Sequence, residues 1–144
     1  MKNIVTFLIF FILIGCNQRQ NISCDAHEVV IKFHSDWGKF LSGVIDKNQE
    51  IDAFQIRSAY LQKTIPSIAS YRLTLSLSNH LPKEKREMLL QDLSVAFDKR
   101  AYCEGMISSD SRLTLDNIRQ WKDIENEIVS IYRRYDLTVS NEPQ

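Results

Sequence analysis

Tyr71-Arg72-Leu73-Thr74-Leu75-Ser76-Leu77-Ser78 decides the fold class of this chain. Apolar and polar residues alternate strictly along it, and a period of two is the signature of a half-buried strand. A strand needs a partner, because a lone one leaves a row of N–H and C=O groups unpaired. No other stretch reads as that partner. We therefore read the segment as helix and the whole chain as all-α, a small antiparallel bundle of four to five helices.

The flanks support this reading. Upstream, Ile51-Asp52-Ala53-Phe54-Gln55-Ile56 starts a helix with Asp52 and Gln55 as a capping box and Ile51 and Ile56 as a hydrophobic staple. Pro66 interrupts that helix, since it lacks the N–H and clashes with the preceding turn. Downstream, Pro82 suits the first turn of another helix. Leu89, Leu90, Leu93, Ala96, Phe97 and Ala101 supply its stripe, Lys99 and Arg100 its basic last turn, and Gly105 its stop.

At the ends of the domain the pattern is clearer. Asp25 and Glu28 form a capping box, after which Ala26, Val29, Val30, Phe33, Trp37, Phe40, Leu41, Val44 and Ile45 share one helical face. Ile118, Trp121, Ile124, Ile128, Ile131, Tyr132 and Tyr135 make the last stripe, with Asp116 early and Arg133 and Arg134 late. Residues 25–137 are thus the helical domain, and 138–144 read as a disordered tail.

Composition narrows the function. The 144 residues carry 18 Lys+Arg against 18 Asp+Glu, with only 4 Gly and 3 Pro. A balanced chain lacks the basic surface that displaces counterions from nucleic acid. The scarcity of Gly and Pro argues against a turn-rich β sandwich.

The apolar residues crowd the N-terminus. Lys2 precedes an apolar run from Ile4 to Ile14, broken only by Thr6. About 11 residues make about 16 Å of helix, too short for a bilayer core of about 30 Å, so the run reads as a signal-peptide h-region. Leu13-Ile14-Gly15-Cys16 closes it and resembles the lipobox of bacterial lipoproteins. The resemblance implies cleavage after Gly15, leaving 1–15 as signal peptide, and a diacylglycerol and an N-acyl chain on Cys16. It also implies that Asn17, in the sorting position, directs the chain to the outer membrane with its domain facing the periplasm. Residues 16–24 form a short polar tether that keeps the domain against the membrane. The mature chain, without Lys2, carries a side-chain charge of −1.

Once Cys16 is acylated, Cys24 and Cys103 remain, and an isolated pair in an oxidising periplasm is expected to form a disulfide. The alternative is two separately buried thiols. The pair bears on topology. In a plain up-down-up-down bundle, the start of the first helix and the end of the third long one lie at opposite ends, beyond disulfide reach. If Pro66 splits the second segment into two antiparallel helices, Cys103 returns to the end where Cys24 sits. Of these, the bridge with a sharp turn at Pro66 is the expectation.

No catalytic motif is present. His27 and His34 share a face near Cys24, Asp25 and Glu28, an arrangement that metals use. They read more simply as solvated helix residues, and no metal or other cofactor is expected beyond the lipid on Cys16. Asp123 and Glu127 are a carboxylate pair on a charged helix face, weak grounds for a hydrolase, and no enzyme is expected. Lys83, Lys85 and Arg86, and Lys99 with Arg100, read as solvated basic patches, with contact to anionic lipid the alternative.

Trp37, Phe40, Trp121, Tyr132 and Tyr135 read as core by periodicity. A groove left open between two such stripes would hold an amphipathic helix, so these five are also the candidate partner-binding residues. In size, lipobox, helical content and expected disulfide the chain resembles the helical pilotins of type II secretion. That resemblance implies an assembly factor that binds the C-terminal segment of a secretin and targets it to the outer membrane. The alternative is an immunity or exclusion lipoprotein that neutralises a toxin, a lytic enzyme or a phage component.

Overall fold

The structure, a computed structural model, describes residues 26–47, 51–108, 113–135 and 137. The expected signal peptide, Cys16, Asn17, Cys24, Asp25 and the tail 138–144 lie outside these. All regular elements among the described residues are helical: α1 (Ala26–Asp46), α2 (Ala53–Lys63), α3 (Ser67–Leu77), a 3-10 turn (Ser78–His80), α4 (Lys83–Met106) and α5 (Leu115–Tyr135). None of the described helices is long and apolar enough to cross a membrane.

Residue pairs fix the helix directions. Gly38 of α1 faces Glu125, whose side chain would stand 3.5 Å from a Cβ added there, and Trp37 packs on Trp121, whereas His34 reaches Tyr132, so α1 and α5 are antiparallel. Asp92 meets Arg134 and Tyr135, and Lys99 meets Glu127, so α4 is also antiparallel to α5. On the other flank of α1, Tyr60 packs on Trp37 and Lys63 sits over Phe40. Ser70 of α3 then meets His34, nearer the start of α1. α2 and α3 therefore descend in one direction as a single arm, and the topology is up-down-up-down.

This corrects the expectation at Pro66. The helix does break there, with residues 64–66 outside both helices, but the chain does not reverse. The expected disulfide, whose other half Cys24 is not among the described residues, is not supported either. Cys103 is buried and free. Arg100 lies level with His34 through their shared partner Glu125, Ala26 is eight residues below and Cys103 three above. At about 1.5 Å per residue the two ends stand about 16 Å apart along the bundle, against the roughly 4–7 Å between Cα atoms that a bridge requires. The two residues back to Cys24 reach at most about 7 Å.

Why the alternating segment is helical is visible in what it buries. α3 turns Ser67, Ala69, Ser70 and Thr74 inward, with Ser78 just beyond, while Leu73, Leu75 and Leu77 are half-buried on its flanks. Its inner face is a ladder of hydroxyls at three- and four-residue spacing. α5 is the opposite case: Ile118, Trp121, Ile124, Ile128, Ile131, Tyr132 and Tyr135 are all buried, as its stripe foretold. Asp52 caps α2 as expected, accepting hydrogen bonds from the N–H groups of Phe54 and Gln55. α4 runs through Gly105 to Met106, so that glycine is not its stop. Arg100, expected on a solvated basic turn, is fully buried.

A buried charge network and an open groove as candidate functional sites

At mid-height each helix contributes a polar group to the core. Glu125 on α5 is fully buried, and its carboxylate accepts from three directions: Arg100 Nε of α4 at 2.6 Å, Trp121 Nε1 at 2.8 Å and His34 Nδ1 of α1 at 2.6 Å. Because a carboxylate only accepts, His34 donates from Nδ1, and its Nε2 takes a hydrogen bond from Ser70 Oγ of α3 at 2.7 Å. Tyr132 and Thr74 bond to each other just below, and Thr74 Oγ1 donates to the Ser70 carbonyl.

Arg100 also repairs the break at Pro66. Its Nη1 donates to the Ile65 carbonyl at 2.9 Å and to Ser67 Oγ at 3.1 Å, and its Nη2 to Thr64 Oγ1 at 2.9 Å. Glu104, one turn later, pairs with Arg100 and accepts from Tyr60 OH at 2.6 Å and from the Ser67 N–H at 2.9 Å. A helix interruption inside a protein strands backbone groups that must find partners. Here one Arg–Glu pair at i,i+4 supplies them.

The electrostatics follow from burial and pairing. Burial pushes the His34 imidazole below its ordinary value and the Arg100 cation reinforces the shift, outweighing the Glu125 hydrogen bond. Burial alone would raise the Glu125 carboxyl, but Arg100 and His34 together hold it below the usual range. The network is a neutral histidine beside an ionised Glu125–Arg100 pair.

Ser70, His34 and Glu125 have the spacing of a nucleophile, a base and its orienting acid. All three are fully buried, so no substrate atom reaches Ser70 Oγ in this arrangement. Ser70 and His34 also sit on different helices, so lifting α3 to admit a substrate would separate the serine from its base. Buried charge networks of this kind hold packing specificity in some proteins.

Two grooves of similar size are accessible, one of about 550 Å³ between α4 and α5 and one between α1 and α2. Val29, Phe33 and Phe40 line the second, a groove of about 530 Å³, rimmed by Lys32, Lys39 and Lys63. A hydrogen bond from Lys32, aided by Lys39 and Lys63, holds the Asp36 carboxyl in this groove below its ordinary value. The groove is apolar with a positive rim.

Of the five candidate binding aromatics, Trp37, Trp121, Tyr132 and Tyr135 are core residues, and Trp37 and Trp121 pack together 5.2 Å apart. Phe40 alone is half-buried and reaches the groove. His27 and His34, expected to be solvated, are both buried, and no metal-ligating cluster forms among the described residues. Cys103 is buried beside a groove between α4 and α5, and that burial pushes its thiol up to about 11. Asp123 and Glu127 stay on the surface.

Sequence reasoning missed the network, yet a signal existed. Arg100 falls in register with Leu89, Leu93, Phe97 and Cys103, Glu125 with Trp121 and Ile128, and His34 with Val30, Trp37 and Leu41. Three polar groups standing in apolar stripes on three helices are candidates to meet. No protein-family model, curated protein or solved structure matches this chain.

Proposed function

We propose that this chain is an outer-membrane-anchored lipoprotein that acts by binding another protein, a pilotin-like factor that brings a secretin or a similar envelope component to the membrane. The groove between α1 and α2 carries the binding part of this reading. Its apolar lining suits the nonpolar face of an amphipathic helix, and Lys32, Lys39 and Lys63 suit acidic residues along that helix. The anchoring part rests on the lipobox at Cys16.

Two variants test the parts separately. Cys16→Ser should release the protein from the membrane fraction; retention in the outer membrane would refute the lipid anchor. For the groove, the anchored protein is used as bait in its own envelope, alongside a Lys39→Glu/Lys63→Glu variant. Recovery of a secretin multimer by the unaltered protein, lost with the variant, supports piloting. Recovery of only a lytic or toxic enzyme replaces piloting with immunity, and capture indifferent to the variant removes the groove from the account.

A further inference from the structure

Two sets of exposed apolar side chains recur at seven-residue spacing in the sequence, and they differ in their charged neighbours. On the α2–α3 arm, Phe54, Leu61 and Ile68 are 77, 59 and 60% exposed. On α4, Met88, Val95 and Tyr102 are 58, 51 and 70% exposed. Seven residues are close to two helical turns, so Phe54 and Leu61 share one side of α2, and Met88, Val95 and Tyr102 one side of α4; Ile68 stands on α3, beyond the break at 64–66. The α4 line is interleaved with both signs of charge, Glu84, Glu87, Asp92 and Asp98 beside Lys83, Lys85, Arg86 and Lys99. The α2–α3 line has no acid near it in sequence: from Ala53 to Leu77 there are Arg57, Lys63 and Arg72 and not one Asp or Glu. In a chain with equal numbers of acids and bases, these 25 residues stand out. None of the three apolar residues lines the α1–α2 groove.

We infer that the outer face of the α2–α3 arm docks on an anionic lipid surface, with Phe54, Leu61 and Ile68 at the headgroup boundary and Arg57 and Arg72 on the phosphates. An apolar line with basic flanks and no acids is the composition of helices that lie in a membrane interface. The α4 line has its apolar side chains among bases and acids mixed, and those carboxylates are repelled by the same surface. The charge asymmetry stands apart from the lipid anchor, although an anchor at Cys16 would keep the face within reach of the bilayer.

The test places a photo-crosslinking amino acid at Leu61 or at Val95 in the full chain and adds vesicles of phosphatidylcholine with or without phosphatidylglycerol. Circular dichroism checks that each variant is folded. Lipid adducts read by mass spectrometry are expected at position 61 with phosphatidylglycerol, and about tenfold fewer at position 95 or without the anionic lipid. Arg57→Glu/Arg72→Glu should reduce the adducts at 61 by a similar factor. Equal adducts at 61 and 95, none at 61, or adducts at 61 to a second copy of the chain would each overturn the inference. A Cys16→Ser chain tells the two membrane claims apart: keeping position-61 adducts while leaving the membrane fraction of cells would fail the anchor and keep this face.

Discussion

α3 and α5 are both helices packed into the same core, and they are held there by different physics. α5 buries four isoleucines, a tryptophan and two tyrosines along one face, and each large apolar side chain contributes about 1.5–3 kcal/mol when fully buried. α3 buries three serines, one of them at the 3-10 turn, a threonine and an alanine. Those hydroxyls gain little from leaving water unless each finds a partner, and the net gain of a hydrogen bond is about 1 kcal/mol. α5 is held by area, α3 by partners. An amphipathic stripe therefore says where α5 goes, whereas α3 depends on groups supplied by helices far away in sequence.

The contrast predicts how substitutions rank. Arg100→Ala should have the largest effect, about 3–5 kcal/mol in urea unfolding, because it leaves the buried Glu125 carboxylate and the groups at the Pro66 break without their cation. Ile128→Ala on α5 follows, at about 2–4 kcal/mol from lost burial and a cavity. Ser70→Ala, at about 1–3 kcal/mol, removes the donor to His34 Nε2. On α3 the usual order should invert, with Leu75→Ala costing about 1 kcal/mol or less because Leu75 is only half-buried. If Leu75→Ala proves the costlier of the two, α3 is held by its leucines and the contrast collapses.

A smaller effect concerns pH. His34 is held neutral in the fold, while the unfolded chain takes up a proton near the ordinary value of 6.5. Below that value the unfolded state binds more protons, so stability present above about pH 6.5 falls as the solution is acidified. One such group changes stability by at most about 1.4 kcal/mol per pH unit. Glu125, whose value is depressed, adds to the loss at lower pH. Urea unfolding at pH 7.5 and 5.5 should show the decline in the unaltered protein and a flatter profile for His34→Gln. An equal decline in both would mean that His34 carries its proton when folded.

How much of this was legible in the sequence follows the same division. The stripes of α1 and α5, the Asp52 cap and the breaks at Pro66 and Pro82 depend on near neighbours, and the structure has them where local rules put them. The direction of the chain after Pro66 depends on Arg100 and Glu104, more than thirty residues away, and a proline alone does not specify it. The expected disulfide was tied to that direction and is not supported. The aromatic residues show the limit at the candidate site: periodicity put Trp37, Trp121, Tyr132 and Tyr135 on inward faces but did not say which, like Phe40, would reach a groove. Exposed Phe54 and Leu61 lie on a helix of weak stripe, where side-chain pattern does not mark the outside.

The most direct test of the contrast replaces the charges instead of deleting them. In an Arg100→Met/Glu125→Leu/His34→Leu chain, apolar groups of similar size fill the core, a change that often preserves or raises stability. Native-state hydrogen exchange then reports each helix separately. The account expects α1, α4 and α5 to keep their protection while Ser67 to Leu77 exchange at least about tenfold faster, because Ser70 and the Pro66 break have lost their partners. If α3 remains as protected as in the unaltered protein, the buried network does not hold it and the account is wrong.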